Sequence, residues 1–304
     1  MSMDGIIQQM IILFILMFVG FLISKAKVIT AEANQYICKM VVTIGVPGLL
    51  LSSVADGSPF HDQVELLEVI GVCTLINVAV VLISWLVVKV LRIQNSKNVY
   101  KFMTIFPNAG FIGFPVINAI FGSEALIYAA IFQLPHNLLM YTYGIYLMSG
   151  GSKDEIDLKK LINPCVVAAL AAILFCVFDI KLSYIPEQVC NYLGQITTPL
   201  GMVIIGSSLA GVDIKQIIKN VTIIPFTLIK LFVLPIVVYY IAHFVGASDI
   251  ISAVVAITMG MPCATNTVIF ANIYNQKIDV ASTTVFFTTV VSIVSIPIVC
   301  LLLF

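Results

Sequence analysis

Residues 106–115 read FPNAGFIGFP and residues 260–267 read GMPCATNT, each in the middle of a long apolar segment. Proline removes a backbone donor and clashes with the preceding turn, and glycine loosens a helix further. In hydrocarbon an unsatisfied backbone group is costly, so such interruptions persist only where they are buried in protein or line a cavity. One interruption falls in each half of the chain, at a similar place in each. Paired discontinuous helices of this kind point to the binding site of a membrane carrier.

The apolar character extends along the whole chain. Of 304 residues, 61% are hydrophobic and 10% charged, with mean hydropathy +1.11. That composition excludes a soluble domain of this length and predicts an all-α polytopic membrane protein. The first apolar stretch has no basic leader and no small-residue cleavage site, so it reads as a span rather than a signal peptide. The seven cysteines form no CxxC pair and read as small core residues, not as a disulfide or metal framework. Cys263 is set apart because it lies within the second interruption. No zinc-protease, hydrolase-elbow or nucleotide-loop motif is present. The reading is therefore not an enzyme, with no cofactor, no metal and no nucleic acid partner expected, and with the lipid bilayer as solvent.

Ten spans are expected, at residues 5–24, 35–55, 66–89, 99–122, 124–149, 161–179, 188–210, 221–245, 249–274 and 279–303. The hydrophilic stretch GGSKDEIDLKK, residues 150–160, separates a first set of five (1–149) from a second (161–304). Thirteen basic residues fall on one side of this arrangement: Lys25, Lys27, Lys39, Lys89, Arg92, Lys97, Lys101, Lys153, Lys159, Lys160, Lys215, Lys219 and Lys277. The other side keeps only Lys181. The positive-inside rule places the thirteen in the cytoplasm and both termini outside, in a multi-pass protein of the cell membrane.

Five spans is an odd number, so two halves that share a fold must enter the membrane from opposite sides, as inverted repeats. Ordered likenesses support this. TIGVPGLLLSS (43–53) in span 2 and TTPLGMVIIGSS (197–208) in span 7 both place a polar residue, a proline and a glycine before an aliphatic run ending in paired serines. Spans 4 and 9 both carry the proline-centred interruption.

The first half of span 4 should end near Phe106, because a residue before proline avoids the helical region. Its second half should restart around Gly113 to Pro115. In span 9 the halves should end near Met261 and restart around Thr265 to Thr267, where Thr and Asn make good N-caps. Helix N-termini suit a carboxylate, and helix C-termini with unwound carbonyls suit a cation. Asn108, Thr265, Asn266 and Thr267 add neutral donors and acceptors without a buried formal charge. Asn108 and Asn266 read as site residues, whereas Asn118 and Asn272 read as interhelical hydrogen-bonding groups.

Two further features stand out. Lys230 lies a third of the way into span 8, either as a counter-charge or gating contact, or snorkelling to the interface. His136 and Asn137 sit in the middle of span 5 beside Pro135, with Gln133 on the same face as Asn137. His136 reads either as a proton carrier or as a satisfied structural histidine. All Asp and Glu residues fall in loops or near span ends, which disfavours proton coupling through a buried carboxylate. Coupling to H⁺ through His136, coupling to Na⁺ through carbonyls and hydroxyls, and uncoupled transport all stay open.

The pattern N-x-G-F-x-G-x-P (Asn108, Gly110, Phe111, Gly113, Pro115), the stretch PCATNTVIFANIY in span 9 and the proline-closed last span ending at Pro297 resemble the auxin efflux carrier family in its compact prokaryotic form. The resemblance covers essentially the whole chain. It implies a fold shared with bile-acid sodium symporters, with spans 1, 2, 6 and 7 as scaffold and spans 3–5 and 8–10 as a transport domain whose broken helices 4 and 9 cross. It implies substrate binding at the crossover, elevator-like alternating access, and organic carboxylates such as auxin, malate or malonate as substrates. By position Asn108 would contact the carboxylate, and Pro107, Pro262 and the Thr265–Thr267 turn would form the crossing, with Gly110 and Cys263 as further candidate substrate-binding residues. Thr43 to Pro47 and Thr197 to Pro199, including Thr198, would line the scaffold side. Homodimerisation through the scaffold follows by analogy. The alternatives are a Na⁺-coupled bile-acid-type symporter and a membrane ligand sensor that binds without transport.

Overall fold

The computed structural model describes residues 3–55, 57, 60, 63–151, 162–210 and 221–303. Ser152 to Leu161, with Lys153, Lys159 and Lys160 of the central linker, and the segment carrying Lys215 and Lys219 lie outside the described residues.

The described elements are helical. They are α1 (Met3–Lys25), α2 (Ala31–Met40), α3 (Val46–Ser52), α4 (Gln63–Val90), α5 (Lys97–Ile105), α6 (Phe114–Phe121), α7 (Leu126–Leu139), α8 (Ile145–Met148), α9 (Pro164–Val177), α10 (Tyr184–Gln195), α11 (Thr197–Leu209), α12 (Ile223–Leu228), α13 (Leu234–Phe244), α14 (Asp249–Met259), α15 (Asn266–Ile273) and α16 (Ile278–Leu303). Helix is the form in which a segment satisfies its own backbone in lipid. Among the described residues, four helical stretches are long and apolar enough to cross a membrane: Glu32–Ser52, Val64–Val90, Ile223–Phe244 and Ile278–Leu303. Local chemistry sets several starts. The Thr30 hydroxyl accepts from Ala33 N–H at α2, and Asn163 accepts from Val166 N–H at α9, where Pro164 takes the first turn.

Wider, π-helical turns occur at Val41–Gly45, Ala109–Gly113, Met140–Gly144 and Ile229–Val233. Three of them end two residues before a proline: Pro47, Pro115 and Pro235. The missing N–H and the bulk of the ring strain the preceding turn, and a π-helical turn absorbs that strain without ending the helix. This explains one departure from expectation. In span 4 the chain regains helical form at Ala109, before the expected restart at Gly113 to Pro115.

The chain divides into two compact units that interleave along the sequence. One contains Met1–Ile70, Gly110–Leu134 and Ile162–Val212; the other contains Gly71–Ala109, Pro135–Leu161 and Asp213–Phe304.

In the first unit α1 packs along α11, and α3 packs against α10 and α9. Glycine permits the closest approaches. A Cβ on Gly206 would collide with the carbonyl of Met17, and one on Gly48 would lie 2.8 Å from the Leu193 Cβ. Small residues let membrane helices meet backbone to backbone, where dispersion and hydrogen bonding replace the absent hydrophobic drive. The Asn34 side chain donates to the Ser208 hydroxyl at 3.1 Å.

In the second unit α13 packs on α14, and α16 runs against α12, α13, α14 and α15. Phe102 of α5 meets Phe270 of α15 edge to face, with ring centroids 5.5 Å apart. The last helix buries Thr283, Thr284, Thr288, Thr289, Ser292 and Ser295. Thr288, Thr289 and Ser292 return their hydroxyls to carbonyls of their own helix.

Candidate functional site at the paired interruptions

Residues 106–108 of the first interruption meet residues 262–264 of the second within the second unit. Asn108 N–H donates to the Pro262 carbonyl at 2.8 Å, and Ala264 N–H donates to the Phe106 carbonyl at 3.2 Å. Pro107 and Cys263 are the central pair of this short antiparallel bridge. Neither proline can donate, so the bridge is closed by N–H groups that follow them, Asn108 one residue past Pro107 and Ala264 two residues past Pro262. Cys263 N–H donates to the Thr288 hydroxyl at 3.2 Å. Cys263 is fully buried, and Asn108 is 6% exposed.

The preceding half-helices end where expected: α5 closes on Phe106, and α14 on Gly260. In span 9 the next helix, α15, starts at Asn266 with Thr265 at the cap position. Thr265 makes no side-chain cap bond there, so its hydroxyl does not play the expected capping role. The first bonds of the new turn run from Thr267 N–H to Ala264 and from Val268 N–H to Thr265. The N–H groups of Thr265 and Asn266 precede them at the positive end of the helix. The Thr267 hydroxyl is buried and has no hydrogen-bond partner.

Lys230 is 1% exposed and turns inward. Its ammonium donates to the Thr104 carbonyl at 3.0 Å and the Met259 carbonyl at 3.1 Å. Thr104 lies in the last turn of α5, and Met259 ends α14. Each helix C-terminus carries roughly half a negative charge, so one ammonium balances both. From Glu32 onward, no Asp or Glu among the described residues is buried, and the partners of this ammonium are backbone carbonyls.

Beneath the first interruption lies His136, 2% exposed, whose ring meets Phe106 edge to face at 5.3 Å. Its Nδ1 lies 3.3 Å from Asn77 Oδ1. Asn77 spends its amide N–H on the Cys73 carbonyl at 2.8 Å, which leaves Oδ1 as the acceptor and places the hydrogen on His136 Nδ1. Asn137 is also buried.

The second unit thus brings together Pro107, Asn108, Cys263, Thr265, Asn266, Thr267, His136, Asn137 and Lys230. Gly110, Gln133, Thr43, Pro47 and Thr198 belong to the first unit. There Thr43 is exposed, Pro47 and Thr198 are half-buried, and the span 2 and span 7 segments pack together. Asn77, Thr104 and Thr288 were not singled out from sequence. Asn77 had a readable signal, a lone amide deep in the apolar span 3. Thr104 acts through its carbonyl, which no residue type announces.

The second unit also holds a basic cavity of about 690 Å³, lined by Trp85, Lys89, Arg92, Lys97 and Lys101 among others, with Lys101 over the Trp85 ring at 3.0 Å from its centroid. No carboxylate lines it.

A multi-pass helical membrane protein whose two interruptions bind each other has the build of a carrier. Comparison with known proteins agrees. The family described as "Membrane transport protein" matches residues 5–157 and 154–300. The chain belongs to this family, the auxin efflux carriers that its motifs resemble. It is similar to an uncharacterized transporter of Methanothermobacter thermautotrophicus, 24% identical over 96% of this chain and 97% of the other. A second uncharacterized transporter, from Methanocaldococcus jannaschii, is 23% identical over 94% and 95%. A Rhizobium meliloti protein with the provisional name malonate transporter is 22% identical over 92% and 90%.

Proposed function

We propose that the protein is a secondary carrier of small organic carboxylate anions, of the malate, malonate or auxin kind, which binds its substrate at the bridge between the two interrupted helices. The observation that carries this reading is the charge balance there. Lys230 offsets the two helix C-termini, while the N-terminus of α15 keeps its partial positive charge beside the buried, unpartnered Thr267 hydroxyl. From Glu32 onward, no buried carboxylate among the described residues opposes an anion. The name of the Rhizobium meliloti relative agrees with this chemistry. The basic cavity adds a positive field that raises the local concentration of anions.

In this reading the ten spans form two inverted five-helix repeats, and the basic loops face the cytoplasm with both termini outside. The crossing helices carry the bound anion by elevator-type alternating access in the cell membrane. A homodimer formed through spans 1, 2, 6 and 7 accompanies this arrangement.

Thermal unfolding of the purified protein against malonate, malate and indole acetate, with uncharged malonamide as control, tests the reading. A ligand at about 100 times its Kd stabilises the folded state by about 2.7 kcal/mol. A rise of several degrees is expected with at least one carboxylate and none with malonamide. Equal shifts with malonamide, or no shift with any carboxylate, would contradict it.

A further inference from the structure

Thr104 and Met259, the two acceptors of the Lys230 ammonium, occupy equivalent places. Each lies three residues before the proline of its interruption, Pro107 or Pro262. In an unbroken helix each carbonyl would accept from the residue four further on, Asn108 or Cys263. Those two N–H groups are committed elsewhere, to the Pro262 carbonyl and the Thr288 hydroxyl. One ammonium therefore replaces the missing donor of both interruptions at once.

Two carbonyls from two helix C-termini converging on one point form the same arrangement by which discontinuous helices hold a coupling Na⁺. We propose that Lys230 is the tethered cation of this carrier: its ammonium fills the position between the helix ends that Na⁺ would otherwise take, so that substrate binding needs no added cation. The π-helical turn Ile229–Val233, followed by Pro235, carries the residue to this depth. A buried unpaired charge is costly to keep, and an ammonium bonded only to backbone carbonyls marks a position where charge itself is required.

The inference rests on the carboxylate reading for its binding arm only. The full-length protein is melted, and its malonate affinity measured, in NaCl, KCl and choline chloride at equal ionic strength. The wild type is expected to give the same melting temperature and affinity in all three. Lys230→Met keeps the stem and removes the charge. It should melt several degrees lower and bind malonate at least about tenfold more weakly, the loss typical of one charged hydrogen bond. Lys230→Arg keeps the charge and should stay within about threefold of wild type on the same scale. Lys230→Ala opens space at the carbonyls, and Na⁺ or methylammonium should restore part of its lost melting temperature.

Sodium-dependent melting or binding by the wild type would overturn the proposal, as would a Lys230→Met protein with wild-type melting and affinity, or a Lys230→Ala protein indifferent to every cation. Should a variant fail to fold, the wild-type salt comparison still decides. If no protein binds malonate, the carboxylate reading fails, and melting in the three salts still tests Lys230.

Discussion

Asn108→Ala is expected to weaken carboxylate binding by about tenfold to a hundredfold, the range for losing one or two hydrogen bonds to a charged group. The folded state should survive. What Asn108 gives the bridge is its backbone N–H, which donates to the Pro262 carbonyl at 2.8 Å, and alanine keeps that N–H. Melting without ligand should therefore change by only a few degrees. Direct titration of malonate into wild type and variant checks this, and equal affinities would remove Asn108 from the site.

Gly206→Val should produce the largest loss of stability. A Cβ at Gly206 meets the Met17 carbonyl and lies 2.9 Å from the Phe21 nitrogen. These are backbone atoms that cannot rotate away, so α1 and α11 would have to separate. Overpacking of this kind costs on the order of 3 kcal/mol, a drop of about 5 °C in melting temperature for a chain of this size. Gly110→Ala is the contrast, because a Cβ there meets nothing within 4 Å. It should melt like wild type, so any change in its substrate affinity reports on the site rather than on folding. Gly206→Val melting within a couple of degrees of wild type would show that α1 and α11 are not held at backbone contact.

Much of the helical pattern was legible because lipid leaves a spanning segment few choices. Long apolar runs located α4 and α16, and prolines located both interruptions. The early return of helix at Ala109 was not legible. It depends on a π-helical turn relieving Pro115, and periodicity does not separate that from an ordinary restart. Lys230 could be recognised as anomalous from sequence, but its role could not be chosen. Its partners are the carbonyls of Thr104 and Met259, groups every residue carries, and only the crossing geometry makes those two special. The same holds for Thr288, whose value lies in its distance to Cys263 N–H. Asn77 was a different case: a solitary buried amide in span 3, readable in principle, with His136 as a partner 59 positions away.

The central claim is that the paired interruptions bind a carboxylate for transport. Its most direct test is counterflow of labelled malonate in proteoliposomes, comparing wild type with Asn108→Ala reconstituted to the same density. Saturable exchange by the wild type that unlabelled carboxylates inhibit, with the half-saturating concentration raised at least about tenfold in the variant, is the predicted result. Folded wild-type protein that exchanges no carboxylate, or a variant indistinguishable from it, would contradict the account.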